Sequence, residues 1–70
     1  MHRYLVVIEK AEGNYSAYSP DLPGCIAAGS TVEETKKNMA DAINFHIEGL
    51  RVEGLPIPDG EASSEYVTVS

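Results

Sequence analysis

Ser30-Thr31-Val32-Glu33-Glu34 marks the point at which a strand-like pattern gives way to a helix. Thr31 and Glu34 have the spacing of a capping box, in which the two side chains satisfy free backbone N–H groups of the first turn. Ser30 and Glu33 repeat that spacing one residue earlier. The two glutamates also place negative charge at the positive end of the helix dipole. A helix is therefore predicted to begin here.

The predicted helix runs to about Val52 or Glu53. Gly54 suits a C-cap, and Pro56 prevents continuation of the helix. Apolar residues recur at helical spacing, so one stripe should face a sheet. The stripe comprises Val32, Met39, Ile43, His46 and Leu50, with Ala42 and Ile47 at its edges.

The residues before the helix predict three strands. Tyr4–Ile8 is rich in β-branched residues, and Tyr15–Ser19 returns after a turn at Ala11–Asn14. Tyr4–Ile8 is apolar on both faces, which is typical of a central strand or of one covered on its second face. The prolines of Ser19–Gly24 predict a stiff connection with Leu22 tucked beneath it, leading to a short strand at Cys25–Ala28.

Glu65–Ser70 alternates in polarity and predicts a fourth strand after the helix. The predicted fold class is α+β, in the order βββαβ, with one helix packed on one face of an antiparallel sheet. Residues 1–70 are expected to form a single domain. The second face, with either Leu5 and Val7 or Tyr4, Val6 and Ile8, has no helix to cover it, which predicts self-association or a partner surface.

Length and charge narrow the classes of function. The chain has 70 residues, 11 of them acidic and 5 basic, and a net charge of −6. Direct nucleic-acid binding is not expected from this balance, whereas a basic protein partner suits it. A core this small provides little stability on its own, and the lone Cys25 cannot add an internal disulfide. Association with another chain would add stability, so a homo-oligomer (dimer or tetramer) is expected. No apolar run approaches the length of a membrane span or signal peptide, and the expected compartment is the cytoplasm.

The residue types that carry chemistry offer no catalytic set, so no enzyme, metal or cofactor is predicted. His46 lies in the apolar helix stripe and is expected to be a packed side chain. Cys25 is expected to be a buried, inert thiol, since no base is implied beside it. Four carboxylates could be combined into a metal-binding set, but capping, strand ends and loop bonding explain them better: Glu9, Asp21, Glu33 and Glu34.

Phe45 lies opposite the helix stripe, where an exposed phenylalanine is unexpected. It is either one of the single apolar residues common on protein surfaces or an anchor for a partner. The expected partner-binding surface combines an open part of the sheet with acidic and aromatic residues: Tyr15, Tyr18, Asp21 and Phe45.

The chain resembles the N-terminal domain of HicB-like antitoxins along nearly its whole length. The resemblance rests on Tyr4–Glu9, Gly13–Tyr18, Pro20–Cys25, Thr31–Glu34, His46–Leu50 and Pro56–Pro58. It implies a partial ribonuclease-H-like fold without the catalytic acids of that fold. It also implies a partner, a HicA-type toxin, which is a small basic protein that cleaves mRNA through a histidine and whose active site the antitoxin blocks.

The leading hypothesis is therefore an antitoxin of a type II toxin–antitoxin system that occludes a HicA-type toxin. The alternatives are a free-standing oligomeric scaffold or regulatory module without a toxin, and a residual hydrolase that would depend on Asp21. Full-length HicB proteins usually add a C-terminal DNA-binding domain. Because this sequence stops at Ser70, neither direct DNA contact nor autorepression is expected.

Overall fold

A computed structural model of the chain describes residues 2–70 and shows three antiparallel strands followed by one helix. The predicted α+β class is confirmed. The strands lie in the order β1-β2-β3 within one sheet. The elements are β1 (Val7–Ala11), β2 (Asn14–Tyr18), β3 (Ile26–Gly29) and α1 (Val32–Val52).

The hairpin of β1 and β2 closes on a tight turn at residues 12 and 13. Ala11 pairs with Asn14 and Val7 with Tyr18, and Gly13 adopts a φ of 83° that favours glycine. This turn fixes the register, so β1 begins three residues later than the predicted Tyr4–Ile8. The second and third strands are likewise displaced by one residue from their predicted bounds.

The proline-flanked connection between β2 and β3 is held by two backbone hydrogen bonds. The N–H of Leu22 donates to the carbonyl of Ser19, and the N–H of Cys25 donates to the carbonyl of Leu22, both at 3.1 Å. Leu22 is 1% exposed beneath this connection, as predicted. The connection brings β3 antiparallel to β2, with Tyr18 opposite Ile26.

The helix begins as the capping signal predicts. Thr31 is the N-cap, and its hydroxyl accepts the N–H of Glu34 at 3.0 Å. The return contact falls one residue earlier than in a capping box, because the Glu34 carboxylate accepts the backbone N–H of Ser30 at 2.7 Å and its hydroxyl at 3.0 Å. These bonds, the backbone one first, lower the pKa of Glu34.

The helix ends in a Schellman motif. Glu53 is the C-cap, and the predicted cap residue Gly54 is the next one, with a φ of 69°. The N–H of Gly54 donates to Arg51 at 3.1 Å and that of Leu55 donates to Leu50 at 2.9 Å. Two otherwise free carbonyls of the last turn are thereby satisfied.

The core lies between the sheet and α1. Its buried cluster comprises Ala17, Leu22, Cys25 and Met39. Tyr4, Val6 and Ile8 pack against that cluster and are half-buried, so this set faces the helix side. Leu5 and Val7 consequently lie toward the uncovered face, because successive side chains alternate across an extended chain.

The predicted helix stripe is wrong at its first turn. Val32 is 45% exposed, whereas Thr35 is completely buried. A Cβ at Gly29 would lie 2.7 Å from the Thr35 hydroxyl and 2.8 Å from its backbone nitrogen. The Thr35 hydroxyl is satisfied by donating to the Thr31 carbonyl at 2.7 Å. Helix and β3 therefore meet through small residues, and the apolar stripe makes contact only from Met39 onward.

The predicted fourth strand does not form within the single chain. Glu65–Ser70 has no sheet partner among the described residues, and Tyr66, Val67 and Val69 are exposed. Pro58 and Gly60 instead lie against Tyr4 and Arg3, and residues 63–70 are exposed. Strand propensity alone does not order a segment that lacks a neighbouring edge.

Candidate protein-binding surface

The uncovered sheet face carries an apolar row across all three strands. Val7 pairs with Tyr18, and Tyr18 pairs with Ile26, so these side chains share the face opposite the helix. Tyr18 is 43% exposed and Ile26 is 71% exposed. Because Tyr18 and Ile26 are exposed side by side on one face, this face is a candidate contact surface.

Phe45 extends this patch from the helix side. It is 82% exposed, and together with Ile26 it lines an open groove of about 480 Å³ between the start of β3 and the second half of α1. Leu50, half-buried His46 and exposed Glu53 also line the groove. We call the surface formed by Tyr18, Ile26 and Phe45 the aromatic–isoleucine patch.

Two of the four predicted partner-binding residues thus belong to one surface. Tyr18 and Phe45 are connected through Ile26, which touches the same groove as Phe45 and is the cross-strand neighbour of Tyr18. Ile26 was missed in the sequence, although it is the one large side chain in a strand of small residues, which could have marked it. The side chain of Ile26 lies on the face of β3 that points away from the helix, where no other part of the described chain buries it.

The other two predicted residues lie elsewhere. Tyr15 is half-buried at the far end of β2, opposite Lys10 and Gly29. Asp21 is also half-buried, and its carboxylate accepts the backbone N–H of Ala62 at 3.1 Å. The carboxylate of Asp21 therefore holds the C-terminal segment against the domain.

The side chains that could carry chemistry are dispersed in the structure. Within residues 2–70, no three His, Cys, Asp or Glu side chains lie together as a metal ion would require. Cys25 is buried, as predicted, and desolvation raises the pKa of its thiol, which disfavours the reactive thiolate. In this same range, no helix is both long enough and apolar enough to cross a bilayer.

Three antiparallel strands with one helix on one face define the chain as a small α+β sheet-and-helix domain. Comparison with known families makes the assignment specific. Residues 4–68 match the family described as HicB_like antitoxin of bacterial toxin-antitoxin system. The chain belongs to this family.

The chain is also similar to individual proteins from a phage and an archaeon. A 14.9 kDa protein of Haemophilus phage HP1 is 38% identical over 64 residues, which are 91% of this chain and 48% of that protein. The chain thus spans about half the length of this phage relative. A UPF0150 protein of Thermoplasma acidophilum is 40% identical over 68 residues, or 96% of each chain.

Among solved structures, a chain of a HicA3 and HicB3 toxin-antitoxin complex is similar to this fold. The TM-score is 0.73 at 37% sequence identity, and the match covers 86% of this chain and 70% of that chain. The agreement between sequence and structure places the sheet, the helix and their connection in the HicB-like fold.

Proposed function

We propose that this chain is the antitoxin of a type II toxin–antitoxin system and that it neutralises a HicA-type toxin by binding it. Family membership supports the antitoxin role, and the similar solved chain comes from a complex of toxin and antitoxin. The observation that carries the proposal is the aromatic–isoleucine patch, an exposed apolar surface on a domain of this family.

In this proposal the antitoxin acts by occlusion. The aromatic–isoleucine patch provides the apolar centre of the interface, with Phe45 and Ile26 as anchors, because a few side chains buried at the centre of an interface carry most of its binding energy. The net charge of −6 attracts a basic toxin and speeds the encounter. Tyr15 and Asp21 lie outside the aromatic–isoleucine patch, and a part for them in toxin binding stays a prediction.

The proposal assigns no catalytic step to the chain. Residues 1–70 act as one HicB-like domain, assembled as a homo-oligomer in the cytoplasm, where the toxin would meet mRNA. The toxin supplies the only reaction, and the antitoxin removes access to its active site.

The decisive experiment is co-expression with the cognate HicA-type toxin that this function predicts. The wild-type chain should restore growth and co-purify with the toxin. Phe45→Ala and Ile26→Ala should each weaken binding by about 10-fold or more, corresponding to the 1–2 kcal/mol or more of an interface anchor. Val32→Ala, at a residue that is 45% exposed at the opposite end of α1, is the matched control and should bind as the wild type does.

Two results would contradict this function. Growth that stays arrested, with no toxin co-purified, would reject the antitoxin role itself. Full rescue by Phe45→Ala and Ile26→Ala with unchanged affinity would retain the role but reject the patch as its interface.

Raising the salt concentration should slow association with the toxin, since exposed charges are screened beyond about 8 Å at physiological ionic strength.

A further inference from the structure

The segment Glu65–Ser70 has the pattern of a strand without a strand's neighbour. Tyr66, Val67 and Val69 alternate across it and are 106%, 79% and 83% exposed. The radius of gyration of the chain is 13.5 Å, against about 11 Å for a compact domain of this length. Strongly apolar side chains are therefore held away from the core.

Strand β1, which lies at the edge of the sheet, has the complementary feature: an apolar sequence that is incompletely covered. The run Tyr4–Ile8 is apolar on both faces, as central strands are, yet all five residues are only half-buried. Residues 4–6 precede the part of β1 that is paired with β2. The composition of β1 is therefore typical of a strand that lies between two others, whereas its one neighbour in the sheet is β2.

The other edge of the sheet, at β3, is partly occupied by α1. At β3, the Asn38 side chain donates to the Ala28 carbonyl at 2.8 Å, and Thr35 packs on Gly29. Covering an edge in this way disfavours the addition of another strand. An added strand is therefore directed to β1.

The start of the exposed segment is anchored beside the β1 edge. The Tyr4 hydroxyl donates to the Pro58 carbonyl at 2.5 Å, and the Ala62 N–H donates to the Asp21 carboxylate at 3.1 Å. Gly60 lies against the Arg3 carbonyl, where a side chain would not fit. Residues 63–70, which follow Ala62, are all exposed, so the segment is free to reach a second molecule.

We propose that two copies of this chain exchange these segments, with Glu65–Ser70 of each copy pairing as an added strand on the β1 edge of the other. The exchange is reciprocal, so one two-fold axis satisfies both copies. Each added strand places Val67 and Val69 on one face and Tyr66 on the other, beside the two apolar faces of Tyr4–Ile8. The proposal specifies the homo-oligomer of the proposed function as a strand-exchanged dimer.

A second copy is the occupant favoured by the charges. Glu65 is the only charged side chain in the segment, so a basic toxin gains little attraction there. Backbone pairing and apolar contact suit instead an edge whose run Tyr4–Ile8 contains no charge. The aromatic–isoleucine patch lies toward β3 and α1, and it stays available to a toxin.

The test uses the purified full chain without toxin, so its result is independent of the antitoxin role. Sedimentation equilibrium should show a species of twice the 7.5 kDa chain mass. Val67→Pro and Thr68→Pro are the variants, because successive N–H groups of a strand point to opposite sides and one of the two must remove a pairing donor. At least one should raise the dimer dissociation constant by on the order of 100-fold.

Ser64→Pro is the matched control, since it makes the same chemical change outside the pairing segment, and it should remain dimeric. Circular dichroism should show an intact helix in every variant, because residues 67 and 68 are exposed in the single chain. Hydrogen exchange should show protection of residues 66–69 that increases with protein concentration.

Three outcomes would overturn the exchange. A wild-type chain that is monomeric at every concentration would remove the dimer. A dimer unaffected by both proline variants would assign the contact to another surface. Protection of residues 66–69 that does not depend on concentration would show that the segment folds back on its own chain.

Discussion

The two sides of the sheet are built on opposite principles. On the β3 side, strand, helix and their short connection are sequence neighbours joined by small residues, a threonine cap and an edge-covering asparagine. On the β1 side, residues 58–62 lie against the N-terminal residues and are held by two long-range hydrogen bonds. The first side is complete within one chain, whereas the second presents an open edge and an unpaired strand-like segment.

This contrast shows how, in a very small domain, one region can determine folding stability while another determines association with a second chain. The β3 side provides the buried core, in which Met39 and Leu22 are almost fully removed from solvent. The β1 side provides apolar surface that a single chain does not bury. Substitutions on the β3 side should therefore change unfolding, and substitutions beyond residue 62 should change association.

The largest effect is expected at Met39, which is 0% exposed between helix and sheet. Met39→Ala should lower the free energy of unfolding by about 2–5 kcal/mol, because it loses apolar burial and leaves a cavity. Val69→Ala, at 83% exposure, is the comparison and should leave unfolding unchanged in dilute samples. Urea denaturation measures both; equal losses would show that the two regions are not separate.

A smaller loss is expected where helix and β3 touch. Gly29→Ala places a Cβ 2.7 Å from the Thr35 hydroxyl and 3.0 Å from its Cα, so the helix must shift. Overpacking of this kind costs about 1–3 kcal/mol. Thermal unfolding should show the loss, and Gly49→Ala, where a Cβ meets nothing within 4 Å, is the helical control. An unchanged midpoint for Gly29→Ala would mean that this contact is loose.

The smallest effect concerns the pH dependence of the helix start. Hydrogen bonds from Ser30 lower the pKa of Glu34 in the folded chain. The stabilisation is therefore complete above the ordinary glutamate pKa of about 4.3 and is lost as the pH falls through the lower folded value. Glu34→Gln should flatten the acid limb of the stability curve, with Glu33→Gln as control; identical limbs would contradict the assignment.

Sequence signals predicted the ends of the helix correctly, because these depend on interactions between residues close in sequence. Thr31 and Gly54 indicated the two ends of the helix because caps depend on residues close in sequence. The strand bounds were displaced because the turn at residues 12 and 13 sets the register of the hairpin, and apolar content alone does not show where pairing begins.

The rest depended on tertiary placement. Thr35 is buried because β3 delivers Gly29 beneath it, which helical periodicity does not encode. Ile26 joined the candidate surface only once its strand partner was Tyr18. Glu65–Ser70 has a strand's alternation, and whether it pairs depends on an edge that another molecule can supply.

The two long-range hydrogen bonds also determine the order in which the chain can fold. The Tyr4–Pro58 bond spans 54 residues and the Asp21–Ala62 bond spans 41, whereas the hairpin closes over a two-residue turn. Loop-closure entropy rises with the length enclosed, so these contacts form after the hairpin and the β3–α1 unit. During synthesis, residues 58–62 emerge after the three strands and the helix, and we expect them to dock once the sheet has assembled.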